Sequence, residues 1–234
     1  YHWMLPLVAV LAWWGMLIGM LAGWAVQGRP VYPFMGHTQT IIYISHMGAL
    51  SGYQALFIVC ASVQAIFYWL TLCSERYLRH SGRLLPNWQR AERIMIGLSI
   101  LSGVIGQLGI IMVSIFNTVD HHRTHMKMLI LFLIGMALSA LFMSMEIIML
   151  DRNYYRDRAP AQREKYRQFK WRFIISYSTK LLWVAMAIGL AIGFGTLNLT
   201  GHTRTAKNAS AILEWTLAFF YGFYLISLSF DLLP

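Results

Sequence analysis

The sequence is poor in charged residues. Only 12% of its 234 residues are Asp, Glu, Lys or Arg, whereas 58% are hydrophobic; soluble domains usually carry about 25% charged residues. This deficit excludes an ordinary water-soluble domain and a disordered tail. Acidic residues are the scarcest, with nine against 19 Lys and Arg, for a formal net charge of +10. In so apolar a chain, the basic excess indicates membrane orientation rather than a nucleic-acid surface.

Cysteine is also scarce. Cys60 and Cys73 are the only two, and they lie in one apolar stretch. A helix through this stretch separates them by about 20 Å, given its rise of about 1.5 Å per residue. That distance is too long for a disulfide bond. The composition therefore excludes a small disulfide-stabilised scaffold.

Six apolar stretches are present, each long enough to cross a bilayer core, which takes about 20 residues. In lipid, every backbone polar group needs an internal partner, so spans of this kind form helices. We predict an all-α polytopic membrane protein, a six-helix bundle that forms a single transmembrane domain over residues 1–234. The predicted spans are 3–26, 47–74, 94–119, 128–150, 173–197 and 215–234.

Basic residues alternate between the connections. Thirteen lie in the connections 75–93 and 151–172, and five lie in the other three. This asymmetry predicts that both basic connections, and both termini, face the cytoplasm. Orientation alone accounts for such a pattern, but a basic segment beside the bilayer also attracts anionic lipids, at about 1 kcal/mol per charge. We predict phosphoinositide, phosphatidylserine or partner contact for Arg152, Arg156, Arg158, Arg163, Lys165, Arg167, Lys170 and Arg172.

Three charged residues fall inside the predicted spans. Glu146, Lys180 and Asp231 all lie towards the cytoplasmic side, and charges within a membrane are functional candidates by default. We predict that they meet as a structural ion-pair cluster rather than as a proton relay. No series of acids crosses the bilayer, which disfavours an ion pump or channel.

The outer connections are rich in histidine. Asp120, His121 and His125 are weak candidates for a zinc site, because residues four apart share a helix face. The sequence has no HExxH motif, and we expect no metal and no cofactor. Asn198 and Asn208 begin glycosylation sequons in the last outer connection. They lie so close to the membrane that we expect neither to be used reliably.

Glycines recur at helical spacing in three spans, where they let helices approach closely in lipid. We expect them to pack helices within one monomer rather than between copies. They are Gly15, Gly19 and Gly23 in the first span, Gly103, Gly106 and Gly109 in the third, and Gly189 and Gly193 in the fifth.

Four short motifs carry a family resemblance. They are Tyr43-Ile44-Ser45-His46-Met47-Gly48-Ala49, Phe116-Asn117-Thr118 with His125, Leu213-Glu214-Trp215, and Phe230-Asp231-Leu232-Leu233-Pro234. With six spans, their order resembles the Frag/DRAM/Sfk family of membrane proteins, most closely its fungal suppressor-of-four-kinase branch. The sequence departs at His46, where fungal members often have aspartate. The residues carried over are Ser45, Gly48, Asn117, His125, Glu214, Trp215 and Asp231.

The resemblance implies a function. It points to a non-catalytic plasma-membrane regulator or scaffold of phosphatidylinositol 4-kinase signalling that also affects phospholipid asymmetry and sterol retention. The implied partners are membrane lipids and a lipid-kinase complex, with no nucleic acid. Two alternatives stay open: a lipid-remodelling enzyme related to GPI-anchor processing, or an accessory subunit of a larger membrane enzyme. The outer motif residues are either a lipid-headgroup site or helix-end caps, and we favour the structural role.

Overall fold

A computed structural model describes residues 1–35, 39–156, 160–201 and 203–232, without the side chains of 154–169. In this part every regular element is helical, which confirms the predicted fold class. A short 3-10 helix, His2–Met4, leads into α1. The α-helices are α1 (Leu5–Val26), α2 (Ile44–Met47), α3 (Tyr53–His80), α4 (Arg90–Ile115), α5 (His122–Arg156), α6 (Pro160–Thr200) and α7 (Arg204–Asp231).

Six of these helices are long and apolar enough to cross a membrane, so this is an integral membrane protein. The spanning segments are His2–Val26, Tyr53–His80, Arg90–Ile115, His122–Asn153, Lys170–Thr200 and Arg204–Asp231. An even number of crossings brings the two ends of the described chain to the same side. The assignment of that side to the cytoplasm rests on the charge pattern and stays a prediction.

Several predicted span boundaries differ from the observed ones. The second span begins at Tyr53 rather than at residue 47, because α2 and a turn at Gly52 (φ 87°) precede it. The sixth begins at Arg204 rather than at residue 215. Hydropathy detects the apolar run, whereas the helix continues through polar residues whose side chains find partners inside the protein.

The spanning helices form a closed ring. Each packs against its neighbours in chain order, and α7 returns to α1. Inside the ring, Gln64 and Gln107 donate hydrogen bonds to Tyr221 Oη over 2.8 and 2.6 Å. Tyr68 bonds Tyr224 in the same region. Such bonds between helices add to packing in a solvent where hydrophobic association is weak.

The closest helix contact joins α4 to α5. A Cβ added at Gly135 would lie 2.6 Å from Gly106 Cα, whereas Gly15 and Gly189 have no atom within 4 Å of an added Cβ. The prediction of close glycine packing is therefore confirmed for α4. It is wrong for Gly15 and Gly189, where glycine leaves the helix surface open.

Candidate lipid-contact sites at the two ends of the bundle

Residues 39–52, called the outer segment after the predicted orientation, fold into one end of the ring. Ile42 and Met47 are fully buried there. Trp215 Nε1 donates to the Ile42 carbonyl over 2.8 Å, and Glu214 Oε2 accepts the Ile44 N–H over 2.8 Å. Glu214 also binds the amide and hydroxyl of Ser45. Two adjacent residues of α7 thus hold a segment about 170 positions away in sequence.

The chemistry of α2 explains this contact. The first N–H groups of a helix have no acceptor within the helix, and a carboxylate at that end is favourable. Irregular backbone is tolerated at membrane depth only inside protein. Two of the family motifs therefore form one structural unit. Glu214 lies ten residues into α7, or about 15 Å by helical rise, and not at the rim of the span.

Gly48 completes the same unit. A Cβ at this position would lie 2.5 Å from the ring of Phe57, which is itself buried. The glycine thus lets the end of α2 approach α3, and the buried ring leaves little room to move aside. Both motif residues of the outer segment, Ser45 and Gly48, have structural contacts here.

His125 caps the end of α4. Its Nδ1 donates to the carbonyls of Val113 and Phe116 over 3.1 and 2.8 Å. Carbonyl groups at a helix C-terminus have no N–H donor within the helix, so the histidine supplies one. In a neutral imidazole this leaves Nε2 as an acceptor. Asn117 Oδ1 accepts the amide hydrogens of Val119 and Asp120 in the adjoining turn.

The weak zinc candidates Asp120, His121 and His125 do not form a cluster. Asp120 accepts a hydrogen bond from Asn117 Nδ2 over 2.8 Å. His121 precedes the first residue of α5, and its ring packs on Phe116. Among the residues that the structure describes, no group of three His, Cys, Asp or Glu side chains is arranged to hold a metal ion.

The two sequon asparagines are held by hydrogen bonds within or beside helices. Lys207 Nζ donates to the backbone and side-chain oxygens of Asn198 over 2.6 and 3.3 Å. Asn208 Nδ2 donates to Thr40 Oγ1 over 2.8 Å. Asn208 therefore ties α7 to the outer segment through the nitrogen to which a glycan would be attached.

Two cavities meet beside the outer segment. An apolar cavity of about 530 Å³ extends into the membrane region, within the range of about 300–1,000 Å³ typical of ligand sites. A polar cavity of about 260 Å³ adjoins it at the outer end. Ser45, His125 and Leu129 line both cavities.

His46 lines the polar cavity and remains neutral there. Burial, reinforced by the nearby His122, His125 and Lys207, lowers its pKa from 6.5 to about 4. Its Nδ1 is buried and has no hydrogen-bond partner in the described part of the chain.

The low pKa of His46 predicts a loss of stability in acid. The unfolded imidazole takes up its proton near pH 6.5 while the folded one resists until about pH 4. Stability is therefore complete above pH 6.5 and falls by about 3 kcal/mol as the pH drops to 4. Thermal unfolding of purified protein across this range measures the effect. His46→Gln should flatten the profile, and equal profiles for the two proteins would contradict the assignment.

The opposite end of the ring, called the inner end after the predicted orientation, holds a buried ion cluster that was not predicted from the sequence. Arg79, 4% exposed, pairs with Glu75 through Nη2 at 2.8 Å and with Glu146 through Nε at 3.2 Å. Its Nη1 donates to the Leu85 carbonyl over 3.1 Å. Glu75 and Arg79 lie in the predicted connection 75–93, although oppositely charged residues four apart are a common ion pair on a helix.

The three predicted membrane charges lie in one region but form two direct ion pairs, and Asp231 also interacts electrostatically with Glu146 and Arg79. Lys180 Nζ contacts Asp231 Oδ2 at 2.5 Å and Ser176 Oγ at 2.8 Å, joining α6 to α7. Glu146 instead pairs with Arg79 and accepts from Asn87 Nδ2 over 2.6 Å. The positions of α3 and α5 decide this choice of partner.

The inner connection between α3 and α4 is held at several points. Glu92 accepts the backbone N–H groups of Trp88 and Gln89, which makes a capping box at the start of α4. Its other oxygen accepts from Asn153 Nδ2 of α5 over 2.8 Å. Residues 81–89 therefore have fixed contacts with three helices.

The second basic region, residues 151–172, is largely helical rather than a loop. α5 continues to Arg156 and α6 begins at Pro160. The side chains of Arg152, Lys170 and Arg172 are exposed. Those of Arg156, Arg158, Arg163, Lys165 and Arg167 lie outside the described residues.

A ring of six spanning helices with a buried outer segment and a basic inner end defines a polytopic helical membrane protein. The chain belongs to the Frag1/DRAM/Sfk1/Cwh43P N-terminal domain family, whose model matches residues 1–234. This confirms the family predicted from the motifs.

Two fungal relatives are similar over nearly the whole chain. Protein SFK1 of Saccharomyces cerevisiae is 32% identical over 277 residues, covering 97% of this chain and 76% of that protein. Protein sfk1 of Schizosaccharomyces pombe is 27% identical over 232 residues, covering 98% of this chain and 63% of that protein. No solved structure matches the chain.

Proposed function

We propose that this protein is a non-catalytic plasma-membrane regulator that binds anionic inner-leaflet lipids and serves as a scaffold for phosphatidylinositol 4-kinase machinery. Through these contacts it influences the distribution of phospholipids and sterols. Its partners are phosphoinositides or phosphatidylserine and a lipid-kinase complex. Membership of the family supports the membrane setting, and the inner end of the bundle supports the mode of contact.

The observation that carries the proposal is the basic surface at the inner end. The facing ends of α5 and α6 carry residues of the second basic region, among them the exposed Arg152, Lys170 and Arg172. Arg83, Arg90 and Arg93 are exposed in the first basic region, beside Trp88, which is 61% exposed. Basic and aromatic side chains next to a bilayer attract anionic lipids.

The fixed contacts of residues 81–89 strengthen this surface. Arg79 donates a hydrogen bond to the Leu85 carbonyl, and Glu92 accepts the backbone N–H groups of Trp88 and Gln89. These bonds fix the backbone of the connection. A surface that is ordered before binding loses less conformational entropy when a partner docks. This arrangement suits a scaffold.

One observation favours a lipid-remodelling enzyme as the second candidate: Ser45, His125 and Glu214 all line the apolar cavity. A nucleophile requires a base that a third group orients. Here the Glu214 carboxylate binds backbone N–H groups of α2, and backbone carbonyls orient His125. The polar groups hold helix ends together, so the geometry supports the non-catalytic function better. The accessory-subunit alternative shares the scaffold geometry and differs only in its partner.

Charge reversal tests the inner surface. The variant combines Arg163→Glu, Lys165→Glu and Arg167→Glu, and it is reconstituted in nanodiscs of neutral lipid. It is expected to bind vesicles of phosphatidylserine and phosphatidylinositol 4-phosphate at least tenfold more weakly than the wild type does. Three charges near the surface contribute about 3 kcal/mol. Flotation of nanodiscs with vesicles measures binding.

The matched control reverses three exposed charges at the other end: Arg123→Glu, Lys127→Glu and Arg204→Glu. Vesicle binding of this variant should equal that of the wild type. Unchanged binding of the inner variant, or an equal loss in both variants, would refute the proposal. For the kinase, affinity purification at endogenous level should recover lipid-kinase subunits with the wild type and lose them with the inner variant.

A further inference from the structure

The apolar cavity has the dimensions of a lipid chain. Along α5 its lining extends from His125 to Leu141, a distance of about 24 Å by helical rise. One leaflet of the hydrocarbon core is about 15 Å deep. The cavity therefore accommodates an acyl chain over the whole depth of a leaflet.

The cavity opens sideways to the bilayer. Ile134 of α5 and Ile192 of α6 line it and are 55% and 61% exposed on the outside of the bundle. Trp183 and Tyr221 line its inner wall and are nearly buried. A chain can therefore enter between α5 and α6 without leaving the hydrocarbon region.

The polar cavity at its outer end is complementary to an anion. The positive charge of Lys207 lies on its lining, and no described lining residue carries a carboxylate. The Lys207 ammonium group donates to the backbone and side-chain oxygens of Asn198, and this group has three donor hydrogens. Lys207 forms no ion pair with any described residue.

His46 offers a second polar contact in this cavity. Its buried Nδ1 lacks a partner in the described chain, and such an atom costs free energy unless a hydrogen bond satisfies it. A phosphodiester carries one negative charge, which pairs with the Lys207 ammonium group. It also has several acceptor oxygens, one of which can accept a hydrogen bond from His46 Nδ1. The shared residues Ser45 and His125 mark where the polar and apolar parts of one ligand would join.

We propose that the two cavities form one binding site for an outer-leaflet glycerophospholipid. One acyl chain occupies the apolar cavity between α5, α6 and α7, and the phosphate lies beside Lys207 and His46. This site lies at the opposite end of the bundle from the basic inner surface. Its test is therefore independent of the proposed scaffold function.

Photocrosslinking tests the site in reconstituted vesicles. The probe is phosphatidylcholine with a diazirine on one acyl chain, and labelled peptides are mapped by mass spectrometry. Wild-type protein is expected to be labelled in residues 129–141 and 183–192, with excess unlabelled phosphatidylcholine lowering this labelling at least fivefold. Diacylglycerol bearing the same chain, which lacks the phosphate, is expected to compete at least fivefold less well.

Two variants and a matched control locate the ligand. Ala187→Phe fills the apolar cavity and should lower labelling at least fivefold, whereas Met186→Phe, on the neighbouring lipid-facing position, should leave it unchanged. Lys207→Met should weaken phosphatidylcholine labelling but not diacylglycerol labelling. Labelling that excess lipid cannot compete away would identify ordinary annular lipid and overturn the proposal. If diacylglycerol or a sterol competed as well as unlabelled phosphatidylcholine, the phosphate assignment would be overturned. This comparison uses the wild-type protein alone, so it does not depend on whether a variant folds.

Discussion

Replacing Arg79 with methionine is expected to destabilise the protein by about 3–5 kcal/mol, the usual cost of removing one partner from a buried ion pair. Arg79 lies between the carboxylates of Glu75 and Glu146, and all three are at most 4% exposed. Without the guanidinium group, two carboxylates face each other with little water. Each retains the desolvation cost of a buried charge without its counter-charge.

Unfolding in detergent, followed by circular dichroism, measures the effect of Arg79→Met. Arg83→Met is the matched control, because Arg83 is exposed, and its expected change is within about 0.5 kcal/mol. Arg79→Lys should recover only part of the loss, since an ammonium group cannot reproduce the planar contacts of guanidinium. A loss no greater than that of the control would show that the cluster does not stabilise the fold.

The Arg79 variant also links stability to the inner surface. Arg79 holds the Leu85 carbonyl, and Glu146 holds Asn87. Breaking the cluster should therefore loosen residues 81–89 before the bundle itself unfolds. Hydrogen exchange of this connection should increase in Arg79→Met and stay unchanged in Arg83→Met.

Replacing Gly135 with valine is expected to cost about 3 kcal/mol, the upper part of the usual range for overpacking. A Cβ at Gly135 would lie 2.6 Å from Gly106 Cα and 2.7 Å from Gly106 N. These are backbone atoms of α4, so no side-chain rotation relieves the clash. The two helices must separate, and the bonds between Ser99 and Ser139 must stretch with them.

Gly189→Val is the matched control for Gly135→Val. It introduces the same side chain into a spanning helix where an added Cβ meets no atom within 4 Å. Thermal unfolding of the two variants should separate them clearly, with Gly189→Val close to the wild type. Equal stabilities would mean that α4 and α5 do not approach as closely as the structure shows.

Much of the architecture follows from the sequence because a membrane restricts the choices. Long apolar stretches in lipid form helices, so six stretches predicted six spans. Charge asymmetry predicted an orientation, and four short motifs predicted the family. The boundaries were less accurate. Glu75 and Arg79 interrupt the hydropathy of the second span, but α3 continues through them because they neutralise each other.

The candidate sites depended on contacts that spacing does not encode. Glu214 and Ile44 are 170 positions apart, and no local pattern indicates that a carboxylate of α7 caps α2. The glycine steps of α1, α4 and α6 look alike in sequence. Only the step in α4 meets a facing glycine, Gly135.

Local chemistry therefore specifies which segments become helices, which end carries the positive charge and which family the chain belongs to. The choice of partners among the buried charges, and the two connected cavities, arise only when the helices close into a ring. The composition of a span reflects the lipid around it, because most residues of a span are not buried inside the protein. A pair such as Lys180 and Asp231 depends on where two separate helices come together.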